Sequence, residues 1–109
     1  MGKYQELQTY NREKSVGYSD KIFSFVRWSL DQKLVIVAGF DADRSNTFEL
    51  LLPPDIIQQW NLKDGTYVLI DHLNNSNSYQ LLVEKQTGKI KLNLKPLESV
   101  ILEVKGKKD

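Results

Sequence analysis

Two aspartates in the polar loop at residues 41–46 are the first candidates for chemistry. Asp41 and Asp43 are separated by a single residue, Ala42. Acid–base hydrolysis needs two carboxylates that face each other across a substrate groove. Aspartate is also a common turn former, because its short side chain accepts hydrogen bonds from backbone amides two or three residues on. We therefore interpret this pair as turn-forming, and we assign no catalytic residue to the chain.

The same loop has the spacing of the start of a calcium-binding loop. Asp41, Asp43 and Ser45 stand at alternate positions, as the first three ligands of such a loop do. The sixth position is Asn46 where that loop needs glycine, and the twelfth is Leu52 where it needs glutamate. The sequence therefore predicts no metal site here.

His72 is the single histidine, and the chain contains no cysteine. These counts exclude a histidine cluster, a thiolate zinc site, a disulfide and a cysteine nucleophile. Asp71 precedes His72, but no G-x-S-x-G segment supplies a serine nucleophile. We interpret His72 as a loop residue that follows a strand, and we expect no cofactor. Residues 74–76 match a glycosylation sequon, which has meaning only in a eukaryotic secretory pathway.

The aromatic side chains suggest one candidate binding site, a platform for carbohydrate. Exposed indole and phenol rings can stack on sugar rings, and Trp28, Trp60, Tyr67 and Tyr79 are available for this. Aromatic residues at the apolar positions of a strand or helix pattern more often belong to a core. If a carbohydrate platform exists, Trp60 with Tyr67 is the pair we expect to form it.

The elements that must position these residues follow a period of two. Apolar and polar residues alternate through short segments separated by turn formers, which is typical of antiparallel strands. In the first long segment, residues 22–29, both faces carry apolar groups. Eight segments qualify as strands, the first of them weakly: 4–8, 22–29, 33–40, 47–52, 66–71, 79–84, 89–94 and 97–104. A short helix is predicted at 54–60, where Pro54 and Asp55 precede an apolar face.

This pattern predicts an all-β fold. We expect residues 1–109 to form one antiparallel two-layer β-sandwich of about eight strands, of Greek-key type, with one short helix. The segment at 22–29 and the segment at 33–40 should form a hairpin, with the second strand in the centre of a sheet. Lys105, Lys107 and Lys108 should form a solvated tail.

Charge and hydropathy exclude two classes of partner. The formal net charge is +1, from 15 basic and 14 acidic residues, which gives no electrostatic footprint for nucleic acid. No apolar run approaches the ~20 residues of a membrane-spanning helix. We therefore expect neither nucleic acid nor a membrane as partner. The start of the chain shows no signal peptide, and the compartment stays open.

Four segments together resemble one enzyme family. Residues 23–28 read FSFVRW and residues 33–41 read KLVIVAGFD. They are similar to the patterns "aromatic-x-F-x-R" and "K/R-L-x-V-V-x-N-F-S/D" that follow one another in glycoside hydrolases of the α-amylase superfamily (family 13). Residues 2–7, GKYQEL, resemble the segment that leads out of the barrel's last helix in that family, and residues 94–104, LKPLESVILEV, resemble its closing strand. Gly39 departs from the pattern, since asparagine usually stands there.

The resemblance implies a C-terminal β-sandwich, often called domain C. In the family it packs beside a catalytic (β/α)₈ barrel that cleaves or transfers α-glucosidic bonds, and the catalytic carboxylates lie in that barrel. A barrel of this type needs ~250 residues and cannot be contained in this chain. The implied partner is thus the barrel of a larger parent enzyme, which could be secreted or periplasmic, and the chain itself is expected to be non-catalytic.

Three functions stay open at this point. The chain is an accessory domain that packs against and stabilises an amylase-like barrel, or a carbohydrate-binding module for starch or malto-oligosaccharides. As a third alternative, it is an independent β-sandwich protein with an unrelated partner. Fold-level analogy alone does not decide among them.

Overall fold

Eight antiparallel strands and two short helices make up the chain in the computed structural model, which describes residues 2–15, 17–73 and 78–107. In chain order they are β1 (Lys3–Glu6), α1 (Gln8–Lys14), β2 (Ile22–Trp28), β3 (Lys33–Gly39), β4 (Asn46–Leu52), α2 (Pro54–Gln59), β5 (Gly65–Asp71), β6 (Ser78–Glu84), β7 (Thr87–Leu94) and β8 (Ser99–Lys107). The predicted all-β class is confirmed. The sequon at residues 74–76 lies outside the described residues.

All eight strands belong to one curled sheet, with the order β1-β2-β3-β8-β5-β6-β7-β4. The predicted hairpin is confirmed: β2 pairs with β3 in antiparallel register from Ile22 opposite Gly39 to Trp28 opposite Lys33. β3 is central, since β8 pairs along its other side. The two-layer sandwich is not confirmed, because the hydrogen-bonded ladder continues from one half of the sheet to the other.

The core lies on the inner face of the curled sheet. Inward-pointing residues alternate with outward-pointing ones along each strand, as the pleat requires. On β3, for example, Val35 and Val37 are fully buried. Buried apolar residues from all strands except β1, together with Leu7 and residues of α2, form one cluster: Leu7, Ile22, Val26, Val35, Val37, Phe48, Leu50, Leu52, Ile56, Ile57, Trp60, Tyr67, Leu69, Leu81, Val83, Ile90, Leu92, Leu94, Val100 and Leu102.

The helix predicted at 54–60 is present as α2. Pro54 is its first residue, Ile56 and Ile57 are buried, and Trp60 follows directly as the C-cap. The helix is too short to be stable without packing, so its apolar face must rest on the sheet. Gly88 of β7 makes room for it, since a Cβ there would lie 3.2 Å from Cδ1 of Ile57.

The prediction of one helix and of a strand at 4–8 was wrong in part. β1 ends at Glu6, and Gln8 already begins α1. This second helix contacts β2 and β4, so it bridges two strands near opposite ends of the sheet order. Its single buried residue is polar, namely Asn11, so it has no apolar face that a sequence pattern would reveal.

The predicted tail was also wrong for two of its three lysines, although both are exposed as expected. Lys105 and Lys107 belong to β8, which continues past the predicted end at residue 104. Lys107 pairs with Tyr67 of β5 beyond a register shift. Backbone pairing of the extended strand, rather than side-chain burial, orders this segment, because both lysines stay exposed. Lys108 lies outside the described residues.

Candidate docking surface

The outer face of the sheet carries apolar side chains that the core does not use. On β2, Ile22, Ser24 and Val26 are buried on the inner face. Phe23 and Phe25 alternate with them and lie half-buried on the outer face. An antiparallel sheet with one solvated face normally has polar residues there, so apolar residues at these positions need a separate explanation.

Pairing aligns these residues across several strands. Phe25 is opposite Ile36 of β3, and Ile36 is opposite Ile101 of β8. Directly opposite residues of antiparallel strands share a face and lie within contact distance. One row of three half-buried apolar side chains therefore crosses the outer face. Leu34, in the neighbouring row of β3, extends it.

An exposed tyrosine continues this surface at the sheet edge. Tyr4 of β1 is 58% exposed, and its ring centroid lies 5.1 Å from that of Phe25. The rings of Phe25 and Phe23 are 5.6 Å apart. Together these side chains form what we call the outer apolar face: Tyr4, Phe23, Phe25, Leu34, Ile36 and Ile101. A contiguous, partly exposed apolar surface marks an interaction site more often than isolated apolar residues do.

A charged cluster borders the outer apolar face on β8. Glu103 is only 9% exposed and lies directly opposite Leu34. Its carboxylate accepts a hydrogen bond from Nε2 of His72 at 2.6 Å and forms an ion pair with Nζ of Lys105 at 3.3 Å. The hydrogen bond from His72, with a smaller contribution from Lys105, lowers the pKa of Glu103 below its ordinary value.

The lowered pKa of Glu103 predicts a pH-dependent contribution to stability. The folded state favours the ionised carboxylate, so the contribution is present above the ordinary carboxyl pKa of 4.5 and is lost as pH falls through the lowered folded value. We expect Glu103→Gln to lower the free energy of unfolding at about pH 6, and the loss to shrink towards about pH 3. Urea unfolding at both pH values measures it. Glu84→Gln, on the exposed part of β6, is the matched control, and an equal loss at both pH values would contradict the assignment.

The side chain of Asp41 stabilises a turn, as interpreted from the sequence. Oδ1 of Asp41 accepts hydrogen bonds from the backbone N–H groups of Asp43 at 3.0 Å and Arg44 at 3.1 Å. The bond from Asp43 is the main cause that lowers the pKa of Asp41. Across residues 2–15, 17–73 and 78–107, no group of three or more histidine, aspartate and glutamate side chains is arranged to hold a metal ion.

The structure places both residues of the expected carbohydrate platform in the core. Trp60 is 4% exposed and Tyr67 is 7% exposed. The hydroxyl of Tyr67 donates to the backbone oxygen of Lys63 at 2.8 Å and accepts from its N–H at 2.9 Å. The Trp60 ring packs edge-to-face on Trp28, with centroids 6.1 Å apart. Sugar stacking needs an exposed ring face, so binding at Trp60 and Tyr67 would require these side chains to move; it stays a prediction.

The comparisons with known proteins give one likeness. No family model matches the chain, and no curated protein matches it. A solved structure of AmyP, a singly substituted form in complex with maltotriose, matches 98% of this chain with a TM-score of 0.58 and 18% sequence identity. The chain spans 17% of the length of AmyP. At this identity the likeness shows a shared fold, and the fold is that of one part of a much longer polypeptide.

The helices in the described ranges include none that is long and apolar enough to span a membrane.

Proposed function

We propose that this chain is a non-catalytic, C-terminal accessory domain of an α-amylase-like glycoside hydrolase that acts on α-glucans. It packs through the outer apolar face against the catalytic (β/α)₈ barrel of the parent enzyme and stabilises it. The observation that carries this proposal is the row formed by Phe25, Ile36 and Ile101, which is half-buried in the chain alone and lies on the side of the sheet opposite to the core.

The likeness to AmyP supports the same proposal. The AmyP structure holds maltotriose, an α-linked gluco-oligosaccharide, and this chain spans 17% of its length, so most of that polypeptide lies outside the matched part. A domain that packs against a neighbour in the same polypeptide buries part of its surface in that contact, and the centre of such an interface is usually apolar. The outer apolar face fits the centre of such an interface, and its border of Glu103, His72 and Lys105 supplies polar groups for the rim.

A catalytic role has less support in this chain. Glycoside hydrolysis needs a pair of carboxylates about 5 to 10 Å apart across a groove. The carboxylate of Asp41 is engaged by the backbone of its own turn, and that of Glu103 is engaged by His72 and Lys105. The engagement of these two carboxylates within the chain supports the non-catalytic part of the proposal.

The size and the sequence of the native polypeptide test this proposal. An antibody raised against residues 1–109 should detect a protein larger by at least the ~250 residues of a (β/α)₈ barrel, and its reading frame should contain the three carboxylates of that barrel. A native product of 12.6 kDa that begins at Met1 would contradict the proposal. So would a larger product whose additional sequence is not a barrel.

A further inference from the structure

A cleft beside the β2–β3 turn brings both tryptophans of the chain to one place. It has a volume of about 290 Å³ and lies between β1, the end of β2, the turn and the end of α2. Trp28 and Trp60 form its aromatic wall. Its polar lining consists of Lys3, Ser29, Lys33 and Gln59. No part of the outer apolar face lines this cleft, so it is a separate site.

The aromatic wall is supported from below and partly accessible. Trp28 is half-buried, whereas Trp60 beneath it is 4% exposed, and the two rings meet at an interplanar angle of 72°. Edge-to-face packing on a buried neighbour holds the Trp28 ring in place. A ring that is already fixed costs little conformational entropy when a ligand stacks on it. Trp28, rather than Tyr67, is thus the partner that the structure gives to Trp60.

The polar lining is available to a ligand. Within the described residues, no hydrogen bond or ion pair engages the side chains of Lys3, Ser29, Lys33 or Gln59. Two ammonium groups, a hydroxyl and an amide offer several donors and two acceptor groups around an aromatic surface. Nε1 of Trp60 is buried without an acceptor in the described part of the chain, so it is not among the groups that a ligand in the cleft contacts directly.

We infer that this cleft binds an α-linked gluco-oligosaccharide. One pyranose ring stacks its C–H face on Trp28, and its hydroxyl groups bond to Lys3, Lys33 and Gln59. The choice of an α-linked glucan rests on the proposed function, whereas the position of the site rests on the residues of the cleft. The volume lies at the lower end of small-molecule sites, so the cleft holds one or two sugar rings and the remaining rings stay in solvent.

The two indole N–H groups make the site directly observable. The chain has only two tryptophans, and both line the cleft, so both indole signals in a ¹⁵N–¹H NMR spectrum report on it. We expect titration with maltoheptaose to shift both signals in a saturable way, with a dissociation constant in the millimolar range, about 1 mM, because few groups contact the sugar. Indole signals that do not move at about 10 mM maltoheptaose would overturn the inference.

Variants that leave the core intact locate the binding. The double substitution Lys3→Ala with Gln59→Ala removes two exposed polar groups of the cleft and should weaken binding at least fivefold. Gln58→Ala, the neighbouring exposed residue on α2 that does not line the cleft, is the matched control and should bind as the wild type does. Equal weakening by both variants, or shifts confined to residues outside the cleft, would contradict the assigned site.

The linkage preference and the accessory role are tested separately. Cellohexaose, a β-linked glucan, should bind more weakly than maltoheptaose, and equal binding would contradict the α-linked preference. The length of the native polypeptide and the behaviour of the outer apolar face do not depend on this cleft. A failure of sugar binding therefore leaves the proposed accessory role standing, and a failure of that role leaves the titration result unchanged.

Discussion

Replacing Asn11 with alanine is expected to lower the free energy of unfolding by about 2–4 kcal/mol, since it leaves two buried backbone groups without partners. Asn11 is fully buried on α1. Its Nδ2 donates to the backbone oxygens of Leu7 and Leu51, each at 2.9 Å, and its Oδ1 accepts from the N–H of Leu51 at 2.6 Å. The side chain thus pairs with both backbone groups of one residue on β4.

The same contacts protect an edge of the sheet. β4 is the last strand in the sheet order and pairs only with β7, so its other side presents unpaired backbone groups. Asn11 satisfies Leu51, and the hydroxyl of Ser15 donates to the backbone oxygen of Glu49. Unprotected edge strands template aggregation, so the Asn11→Ala protein should also aggregate more readily when it is heated.

Urea unfolding followed by tryptophan fluorescence measures the effect of Asn11→Ala. Glu13→Ala is the matched control, because Glu13 is exposed on the same helix and alanine keeps the helix propensity high. The control should change the free energy of unfolding by less than about 0.5 kcal/mol. If Asn11→Ala changed it no more than the control does, the edge of β4 would not depend on this side chain.

Local alternation made most strands predictable. In β7, Ile90, Leu92 and Leu94 are buried while Lys89, Lys91 and Asn93 between them are exposed, so a period of two is visible in the sequence itself. The helix α1 has no such signal. It is seven residues long, lacks a side-chain N-cap hydrogen bond and buries only Asn11, so tertiary hydrogen bonds rather than local propensity form it.

The pairing of all strands into one sheet could not be predicted from alternation. A two-layer sandwich and one curled sheet place the same residues inside, and they differ only in which strands pair. The pairing of β3 with β8 joins segments far apart in the chain, and no local pattern specifies it. The sequence indicated that β2 has two apolar faces. It could not place Ile101 opposite Ile36, because that contact depends on the same long-range pairing.

One departure from the family pattern has a physical explanation in this chain. Gly39 stands where the resembling family usually has asparagine. A Cβ at this position would lie 3.3 Å from the backbone oxygen of Glu98 and 3.4 Å from Cδ1 of Leu94, which is fully buried. A side chain at position 39 would therefore require its neighbours to shift by a few tenths of an ångström, and glycine avoids this crowding.

The outer apolar face predicts that the isolated chain self-associates. Without a neighbouring domain, Phe25 and Ile36 are left half-buried on the same side of the sheet, and a second copy can cover them. The double substitution Phe25→Gln with Ile36→Gln should abolish the association. The fold should survive, because both residues are on the face opposite to the core and glutamine is tolerated on a solvated face.

Leu82→Gln provides the matched control for these substitutions. Leu82 is a 38% exposed apolar residue on β6, in the other half of the sheet and outside the outer apolar face. Its replacement removes a comparable exposed side chain and should leave the association unchanged. Thermal unfolding of the three proteins verifies that each is folded before its mass is compared.

Sedimentation equilibrium from about 10 µM to about 1 mM is the measurement that tests the docking surface most directly. The weight-average mass of the wild-type chain and of Leu82→Gln should rise above 12.6 kDa with concentration, while the folded Phe25→Gln/Ile36→Gln protein stays at 12.6 kDa. A wild-type chain that remains at 12.6 kDa over the whole range would contradict the account, as would a double variant that associates as strongly as the wild type does.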